Sequence, residues 1–358
     1  MDLTDQDKSK LFSIFENLQE EKKQAHTTGL SATAKKEVLL VDGYNTFLRC
    51  FAAIPSMNED GLHTGGISGF LKSIGFAIKL IKPDRCVVIF DGPGGSMKRR
   101  AIYPEYKAHR KTKIRLNRIY EEISELEDEE KNLKKQLQRM VIYLNNLPVN
   151  MLSLDNVEAD DTIAYCAVEH FKDWNVTIMS SDKDFLQLVD ERVKVWSPTK
   201  KKLYGPAEVL GEYGIDSQNF VLFRTLDGDD SDNIPGIKGF GPKTALKAFP
   251  ILAERRKLCL VDLYEYAEAH RDKLKIYERL LENKQDVERN LALMQLTESQ
   301  LQTFAQLKVK DLLDGPITKL NKFEFAKLVT SDKMWNNLPN YGSWLTECFS
   351  RLDNFIRD

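Results

Sequence analysis

The 358-residue sequence has no closely spaced cysteines and no long apolar run. Its five cysteines lie far apart and include no CxxC pair, so neither a zinc ribbon nor a disulfide framework is expected. The apolar stretches are too short to cross a bilayer, and the acidic, polar N-terminus is unlike a signal peptide. We therefore expect a cytoplasmic protein that does not associate with membranes.

An excess of charge of either sign is also missing. The sequence has 52 lysine and arginine residues against 54 aspartate and glutamate residues, which gives a formal net charge of −2. This balance does not exclude a nucleic-acid partner, because local clusters of charge decide that question. Hydrophobic residues make up 42% of the chain, enough for a sizeable core, and the length predicts about two domains.

Short apolar runs alternate with helical segments in the first part of the chain. The runs that predict strands buried on both faces are 38–41, 86–90 and 176–179. The helical patterns lie at about 66–81, 114–146 and 159–172. This alternation predicts a doubly wound α/β fold with a mainly parallel central sheet. From about residue 206 onward the chain is mostly helical, with one glycine-rich interruption at 236–241.

Acidic residues are concentrated in five short segments: 41–43, 90–92, 158–161, 181–184 and 229–232. Asp42, Asp91 and Asp182 follow predicted strands, and parallel strands bring their carboxyl ends to one edge of a sheet, where ligands bind. Carboxylates that converge there repel one another, and their pKa values rise unless a cation neutralises them. Ligands that are all oxygen favour Mg²⁺ or Mn²⁺, and two such ions about 4 Å apart can promote phosphodiester hydrolysis.

Segment 158–161 has a simpler explanation when it is considered alone. It opens a predicted helix, and acidic side chains at a helix N-terminus interact favourably with the helix dipole. That explanation does not account for the aspartates that end three strands on the same sheet edge. We therefore interpret the whole set of acids as a metal site.

A strip of nine lysine and arginine residues occupies positions 98–118, with a single acid within it and three tyrosines within or beside it. Such a strip either binds phosphates or forms a solvated basic face. It begins seven residues after Asp91, and this proximity to the predicted metal site favours phosphate binding for Arg99, Lys107 and Arg110. Beyond residue 110 both interpretations stay open.

A segment of opposite charge follows the basic strip. Seven acids lie within 121–130, while apolar residues continue at helical spacing from 119 to 140. This pattern predicts a long amphipathic helix or a helical hairpin next to the sheet edge. The hairpin is either a structural helix pair or an arch over a single nucleic-acid strand, and the pattern fits both.

A glycine-rich turn precedes a helix that is predicted to begin at Pro242, since proline is favoured at the first helical position. Gly236, Gly239 and Gly241 punctuate this turn, and such turns expose backbone N–H groups to a phosphate. Lys238 and Lys243 add positive charge there. The turn resembles those of the helix-hairpin-helix family, which grip duplex backbone and often hold a K⁺ ion on main-chain carbonyls.

Taken together, the motifs resemble the 5′ nuclease superfamily, which includes flap endonucleases and the 5′ nuclease domains of bacterial DNA polymerases. The segments that carry this resemblance are 41–45, 90–92, 103–110 with Arg99 before it, 158–161, 180–185 and 228–236. Residues 184–188 and 195–202 are in addition similar to the ribonuclease H of T-even-type bacteriophages, and the helical tail from about 288 to 355 more loosely so. The glycine turn is closer to the cellular pattern than to the phage enzyme.

The superfamily resemblance implies roles for individual residues. One metal site would comprise Asp42, Asp91, Glu158 and Asp160. The second would comprise or be supported by Asp161, Asp182, Asp184, Asp229 and Asp232, with Asp182 between the two. The resemblance implies two Mg²⁺ or Mn²⁺ ions and a K⁺ ion at the turn 236–241. Arg99, Lys107 and Arg110 would steer the scissile phosphate, and Lys238, Gly239, Gly241 and Lys243 would bind nucleic acid. Asp230 falls outside the pattern.

The chain is accordingly divided into three parts. Residues 1–37 are an N-terminal extension and linker. Residues 38–205 form the α/β catalytic core, which includes the arch at about 98–147. Residues 206–358 form a helical DNA-binding region, with the helix-hairpin-helix-type turn at about 227–250. An apolar stripe at 11–18 either docks on a replication protein or packs on the core of its own chain.

The predicted function is 5′-3′ exonuclease or flap endonuclease activity on DNA and RNA–DNA hybrids that have 5′ ends or flaps. The phage resemblance implies ribonuclease H activity, removal of RNA primers during phage DNA replication, and cooperation with a single-strand-binding protein and a sliding clamp. We expect a monomer. Two alternatives are a non-catalytic module that binds branched DNA and an endoribonuclease of the PIN type. No expected acid is missing, which disfavours the first, and the second does not explain the glycine turn.

Overall fold

The computed structural model describes residues 35–108, 126–296 and 301–355. The apolar stripe at 11–18 lies outside the described residues, and so do Arg110 and the rest of the basic strip after it. The predicted arch at about 98–147 is therefore described only over 98–108 and from residue 126 onward, where helix α4 begins.

A six-stranded sheet forms the centre of the fold. Its strands are β1 (Glu37–Asp42), β2 (Arg85–Phe90), β3 (Asn150–Ser153), β4 (Asn175–Met179), β5 (Val193–Ser197) and β6 (Lys202–Tyr204). They lie in the order β3-β2-β1-β4-β5-β6, and every neighbouring pair is parallel except β5 and β6. The predicted mainly parallel α/β sheet is confirmed. The β5–β6 hairpin at its edge was not predicted.

The order of the strands creates a crevice at the carboxyl end of β1. The chain runs from β1 to β2 and β3 on one side, and then returns to β4 on the other side of β1. Neighbouring connections that leave β1 in opposite directions open a gap, and ligands of doubly wound sheets bind there. Asp42 ends β1 and Asp182 follows β4, so both lie at this switch point.

Helices cover both faces of the sheet. In the first part of the chain they are α1 (Gly43–Ala53), α2 (Gly65–Ile81), α3 (Met97–Ile102), α4 (Leu126–Leu144) and α5 (Ala159–Tyr165), which continues as a π-helical turn (Cys166–His170). The later ones are α6 (Pro206–Tyr213), α7 (Phe220–Asp227), α8 (Pro242–Ala248), α9 (Leu260–Ala269), α10 (Lys275–Glu282), α11 (Lys284–Met294), α12 (Thr303–Asp314), α13 (Lys322–Ser331) and α14 (Tyr341–Phe355). Short 3₁₀ segments include Lys183–Leu188 and Asp230–Asp232.

The strands are buried on both faces because their apolar residues point alternately to two hydrophobic cores. Leu39 and Val41 belong to the core that α1, α2, α4, α13 and α14 cover. Val38 and Leu40 belong to the other, which α5 through α12 cover. The last two helices thus return to the face opposite the other C-terminal helices, while the predicted boundary at residue 206 stays a prediction.

In the described ranges, no helix is both long and apolar enough to cross a membrane.

A two-stranded ribbon leads from α7 to the glycine turn. It pairs β7 (Gly228–Asp229) with β8 (Ile234–Pro235) in antiparallel fashion. Gly228 has φ +78°, and a Cβ atom there would lie 2.3 Å from the backbone nitrogen of Gly236. Only glycine permits this backbone geometry. The ribbon places the acidic segment 229–232 close to the glycine turn.

Candidate active site

Asp42 is the last residue of β1 and also caps helix α1. Its Oδ1 accepts a hydrogen bond from the backbone N–H of Asn45 at 3.1 Å, and its Oδ2 accepts one from the Ser180 hydroxyl at 3.0 Å. The Ser180 oxygen in turn accepts from the backbone N–H of Asp182 at 3.1 Å. One hydroxyl therefore joins the two strand ends that flank the switch point.

Asp91 follows β2 and lies against the start of α5. Its Oδ1 accepts a hydrogen bond from the backbone N–H of Ala159 at 2.7 Å. A Cβ atom at Gly92 would lie 1.6 Å from the carbonyl oxygen of Leu154, so a larger residue would separate the loops that follow β2 and β3. Their close approach brings Asp91 next to segment 158–161, as the sequence predicted.

Helix α5 supplies three carboxylates to the same edge. Glu158 is its N-terminal cap residue, and Asp160 and Asp161 lie in its first turn. Glu158 and Asp161 are buried, whereas Asp160 is half-buried. The helix dipole favours acids at this position, but it does not explain how the three differ in their partners.

We call Asp42, Asp91, Asp160 and Asp182 the central carboxylates, because no lysine or arginine among the described residues forms an ion pair with them. Burial and the charge of Asp91 raise the pKa of Asp42 to about 6. Burial and the charge of Asp184 raise the pKa of Asp182 to about 7. Burial and the charges of Asp182 and Asp42 raise the pKa of Asp160. The central carboxylates are therefore one mutually repelling group.

Arg99 forms ion pairs with Glu158 and Asp161. Together with Asp232, we call these acids the first set of flanking carboxylates. Its Nη1 and Nη2 donate to the two oxygens of Asp161 at 2.8 and 3.0 Å, and Nη1 also donates to Glu158. Its Nε donates to the carbonyl oxygen of Leu293 at 2.8 Å. Arg99 is only 7% exposed. Burial lowers the pKa of its guanidinium, but the charges of Asp161 and Glu158 raise it by more, so the group stays charged. All three nitrogens thus have protein partners, and the predicted contact with a phosphate stays a prediction.

Lys107 contacts the same first set of flanking carboxylates. Its Nζ lies 2.7 Å from Glu158 Oε1 and 3.8 Å from Asp232 Oδ2. Its backbone adopts the left-handed conformation with φ 55°, and its N–H donates to the carbonyl oxygen of Asp232 at 2.9 Å. Next to it, the Tyr106 hydroxyl donates to Asp232 at 3.1 Å. These contacts tie the basic strip to the acidic segment 229–232.

Arg224 of α7 holds the second set of flanking carboxylates. Its Nε donates to Asp184 Oδ1 at 2.6 Å, and its Nη2 donates to Asp229. Asp229 also accepts hydrogen bonds from the backbone N–H groups of Ser231 and Asp232 at 2.7 and 3.2 Å. Burial raises the pKa of Asp229, but these hydrogen bonds and the charge of Arg224 hold it below its usual value.

The predicted carboxylates therefore differ in how their charge is compensated. The flanking carboxylates are Glu158, Asp161 and Asp232 beside Arg99 and Lys107, and Asp184 and Asp229 beside Arg224. As the side chains stand, the described residues include no group of three or more His, Cys, Asp or Glu side chains that could hold a metal ion. The central carboxylates nevertheless fit a hard divalent cation in their chemistry, since they are oxygen ligands whose mutual repulsion a cation would relieve.

A polar cleft of about 450 Å³ opens beside Asp182. Its lining includes Asn45, Ser181, Asp182 and Asp229, and Arg224 forms part of its wall. The cleft gives solvent and a ligand access to the switch point of the sheet. The carboxylates that line this opening would repel an anionic substrate, so such a substrate could approach only if a bound cation offset their charge.

The glycine turn follows β8 directly, close to the acidic segment 229–232. Gly239 has φ +84°, and its carbonyl oxygen accepts a hydrogen bond from the Thr244 hydroxyl at 3.1 Å. Helix α8 begins at Pro242. Lys238 and Lys243 are both exposed. Backbone and ammonium groups are thus available to an anionic backbone on the surface of the molecule.

Arg224 was not singled out from the sequence. It is a single cation in the apolar stretch 220–226, directly before the acidic segment 229–232. A charged side chain that is buried in an apolar helix requires a partner of opposite charge, so this position was an available signal. The Ser180 hydroxyl gave no such signal, because its role depends on how β1 and β4 pair.

Comparison with known proteins identifies a family. Residues 37–214 match the family described as 5′-3′ exonuclease, N-terminal resolvase-like domain. The chain is 36% identical over 214 residues to a 5′-3′ exonuclease of Aquifex aeolicus (strain VF5), which covers 59% of this chain and 68% of that protein. It is 33% identical over 223 residues to DNA polymerase I of Bacillus subtilis (strain 168), which covers 60% of this chain but only 23% of the polymerase.

Solved structures share the fold at lower sequence identity. The flap endonuclease of bacteriophage T5, in a pseudo-enzyme–product complex with DNA and metal ions, matches with a TM-score of 0.56 at 20% identity. That match covers 83% of this chain and 99% of the T5 chain. The T5 5′-exonuclease with bound zinc ions matches with a TM-score of 0.54, also at 20% identity, over 83% of this chain and 98% of that one.

Proposed function

Because this chain belongs to the 5′-3′ exonuclease family, we propose that it hydrolyses phosphodiester bonds at the 5′ ends and flaps of DNA and RNA–DNA hybrids, with divalent metal ions as cofactors. The observation that carries the proposal is the group of central carboxylates at the switch point of the sheet. No described lysine or arginine forms an ion pair with them. Burial and mutual repulsion raise the pKa values of Asp42, Asp160 and Asp182, although more distant basic side chains lower them in part. A site built in this way is unfavourable on its own and favourable with a cation.

Mg²⁺ or Mn²⁺ fits this site, and the central carboxylates would hold it. A pair of such ions about 4 Å apart would supply activation of a water molecule and stabilisation of the leaving oxygen. The flanking carboxylates complete the predicted ligand set. Arg99 and Arg224 hold them in place on both sides, so that little rearrangement is needed when the charge at the centre changes.

Lys107 is the basic residue that we assign to the scissile phosphate. Its ammonium group lies 2.7 Å from Glu158, at the border of the central carboxylates. It lies in a turn that Asp232 fixes through the backbone. A cation in a fixed position close to the reacting phosphate stabilises the negative charge that develops there. Arg110 would add a second cation, as the sequence predicts.

The glycine turn would hold the duplex next to the scissile bond. Its backbone N–H groups and the exposed Lys238 and Lys243 fit phosphates without reading base sequence. A K⁺ ion on the main-chain carbonyls of 236–241 is part of this proposal. The ribbon of β7 and β8 connects the turn to Asp229, so duplex binding and the carboxylates would be coupled through two paired residues on each strand.

We assign the protein to removal of RNA primers during DNA replication. The likeness of segments 184–188 and 195–202 to a phage ribonuclease H supports this role. The match to part of bacterial DNA polymerase I is compatible with it, although the chain spans less than a quarter of that relative. Contacts with a single-strand-binding protein and a sliding clamp belong to the same proposal.

Digestion of end-labelled substrates tests the proposed function. We expect release of short products from 5′-flapped, nicked and RNA–DNA hybrid duplexes with Mg²⁺, and none after chelation with EDTA. Asp182→Asn should abolish cleavage while DNA binding is retained, and Asp230→Asn, which changes an exposed acid, should not. Binding without cleavage by the unaltered protein would indicate the non-catalytic module. Cleavage of single-stranded RNA in preference to the flap would indicate the PIN-type endoribonuclease.

A further inference from the structure

Arg224 is an unusual residue for its position in the fold. Helix α7 packs Phe220, Phe223 and Leu226 in the core, and Arg224 is the single charged side chain among its buried residues. The Arg224 side chain is only 5% exposed. A buried guanidinium is tolerated only when its charge and its donors are satisfied. Its partners therefore show why it is there.

The partners of Arg224 surround the guanidinium on every side. Nε donates to Asp184, Nη2 donates to Asp229, and Nη1 donates to the carbonyl oxygen of Gly228 at 3.0 Å. A fourth contact links Nη1 to Asp227 Oδ2 at 3.5 Å. Three carboxylates therefore share one positive charge. The planar fork bridges oxygens from two segments that lie 45 positions apart in the sequence, 184 and 229.

A divalent ion would have to compete with this arrangement. Asp184 and Asp229 each present one oxygen to Arg224, so a fixed cation already compensates both carboxylates. An ion that approached them would meet the repulsion of the guanidinium in a partly buried environment, where charges interact strongly. Among the described residues, no lysine or arginine forms a direct ion pair with a central carboxylate, and basic charges act on Asp42 and Asp182 only from a greater distance.

We propose that Arg224 is a built-in cation of the Asp184–Asp229 pair and weakens the binding of a second divalent ion there. Without nucleic acid, the protein then binds one divalent ion tightly, at the central carboxylates, and a second only weakly. This inference rests on the proposed function, because it presumes a divalent ion at the central carboxylates. It goes beyond that function by assigning unequal affinities to the two ions and by naming the residue responsible.

Mn²⁺ titration of the full chain without DNA tests the inference. Isothermal calorimetry and the EPR signal of free Mn²⁺ give the number of bound ions and their affinities. We expect one tight equivalent in the unaltered protein and two in Arg224→Gln, with the second bound at least about tenfold more tightly than before. Arg224→Lys keeps the charge and should behave like the unaltered protein. Arg256→Gln removes an arginine that is ion-paired elsewhere, with Glu254 and Asp262, and should change nothing.

Equal numbers and affinities of bound Mn²⁺ in Arg224→Gln and the unaltered protein would overturn the inference. Two tight equivalents in the unaltered protein would overturn it as well, while leaving the proposed function intact. Absence of Mn²⁺ binding in every variant would instead contradict the metal site of the proposed function. If Arg224→Gln does not fold, as judged by circular dichroism, Asp229→Asn decides the matter. Loss of the tight equivalent in that variant would show that Asp229 binds the ion despite Arg224, contrary to the inference.

Discussion

The central carboxylates and the flanking carboxylates are the same kinds of residue on the same edge of one sheet. Within the part of the chain that the structure describes, only the flanking ones form ion pairs with basic side chains. Arg99, Lys107 and Arg224 compensate the flanking charges through short hydrogen bonds. The central group is partly buried and has no ion pair with a described basic side chain, and burial and mutual repulsion raise the pKa values of Asp42, Asp160 and Asp182. The difference separates acids that maintain the site from acids that await a ligand.

The two groups of carboxylates should also contribute differently to the free energy of unfolding. A carboxylate with a buried cationic partner loses stability when either member is removed, because the other is left uncompensated. A buried carboxylate beside other carboxylates does the opposite, since its removal relieves repulsion. Substitutions in the two groups should therefore change the free energy of unfolding of the metal-free protein in opposite directions.

The largest effect is expected for the arginine that holds the first set of flanking carboxylates. Arg99→Met should lower the free energy of unfolding by about 3–5 kcal/mol, because Asp161 and Glu158 would remain buried without their cation. Arg100→Met changes the neighbouring exposed arginine and should have little effect. Urea denaturation of both variants measures the difference. Equal stabilities would mean that solvent, and not Arg99, compensates these acids.

Asp182, the N-cap residue of the 3₁₀ segment Lys183–Leu188, and Asp184 within that segment differ most clearly in their partners. Asp184 forms an ion pair with Arg224, whereas Asp182 forms none with any described basic residue and feels the charge of Arg224 only weakly. At pH 8 without metal, Asp184→Asn should lower the free energy of unfolding by about 2 kcal/mol. Asp182→Asn should raise it by on the order of 1 kcal/mol, since a repelled charge disappears while the amide oxygen still accepts from the backbone N–H of residue 184.

Chemical denaturation at constant pH measures both of these changes. Effects of the same sign would contradict the division into central and flanking carboxylates. Nuclease assays on the same two variants add a second test. Asp182→Asn should be more stable and inactive, which is the combination expected when an acid is kept for binding an ion at the expense of stability.

Metal and pH should act on the central carboxylates together. In the metal-free protein the pKa of Asp42 is about 6 and that of Asp182 about 7, above the usual value for aspartate near 3.8. The folded state then binds protons more tightly than the unfolded state, so stability falls as the pH rises from about 4 to about 7. Mg²⁺ at ten times its dissociation constant should restore about 1.4 kcal/mol at pH 8.

Thermal unfolding with Mg²⁺ and with EDTA, at pH 5 and at pH 8, checks this prediction. The increase in Tm with Mg²⁺ should be larger at pH 8, because protons compete with the ion at pH 5. Asp182→Asn should weaken both the metal effect and the pH dependence. A metal effect that is the same at both pH values would indicate that the ion binds somewhere other than the central carboxylates.

The central carboxylates were largely accessible from the sequence, whereas their partners were not. Asp42, Asp91 and Asp182 follow apolar runs, and the geometry of parallel strands brings such positions to one edge. The pairing of Arg99 depends on contacts with α5 and with the Leu293 carbonyl of α11, which are distant in the sequence. From the sequence, the proximity of Arg99 to Asp91 suggested a phosphate contact. Its burial against acids could not be predicted, because sequence spacing does not show which side of a helix is buried.

The basic residues also differ in how far the sequence predicted their positions. Lys238 and Lys243 were expected at an exposed turn and are found there, since a glycine-rich turn before Pro242 is determined by local sequence. Lys107 depends on a contact with Asp232 across 125 positions of sequence. Local sequence therefore predicted the exposed glycine turn and the start of the helix after it, while the position of Lys107 required the folded chain.

The smallest expected effect concerns the residue that fastens this long-range contact. Asn233 has the left-handed backbone conformation, and its Nδ2 donates to the carbonyl oxygen of Glu105 at 2.8 Å, beside Lys107. Asn233→Gly removes the hydrogen bond but tolerates the backbone, and should cost about 1 kcal/mol. Asn233→Ala should cost somewhat more, because alanine is strained in that conformation. In both variants Lys107 would be less well positioned, so we expect a several-fold slower single-turnover cleavage with unchanged affinity for DNA. An unchanged cleavage rate with weakened DNA binding would place Asn233 in the duplex-binding surface and separate Lys107 from the flanking carboxylates.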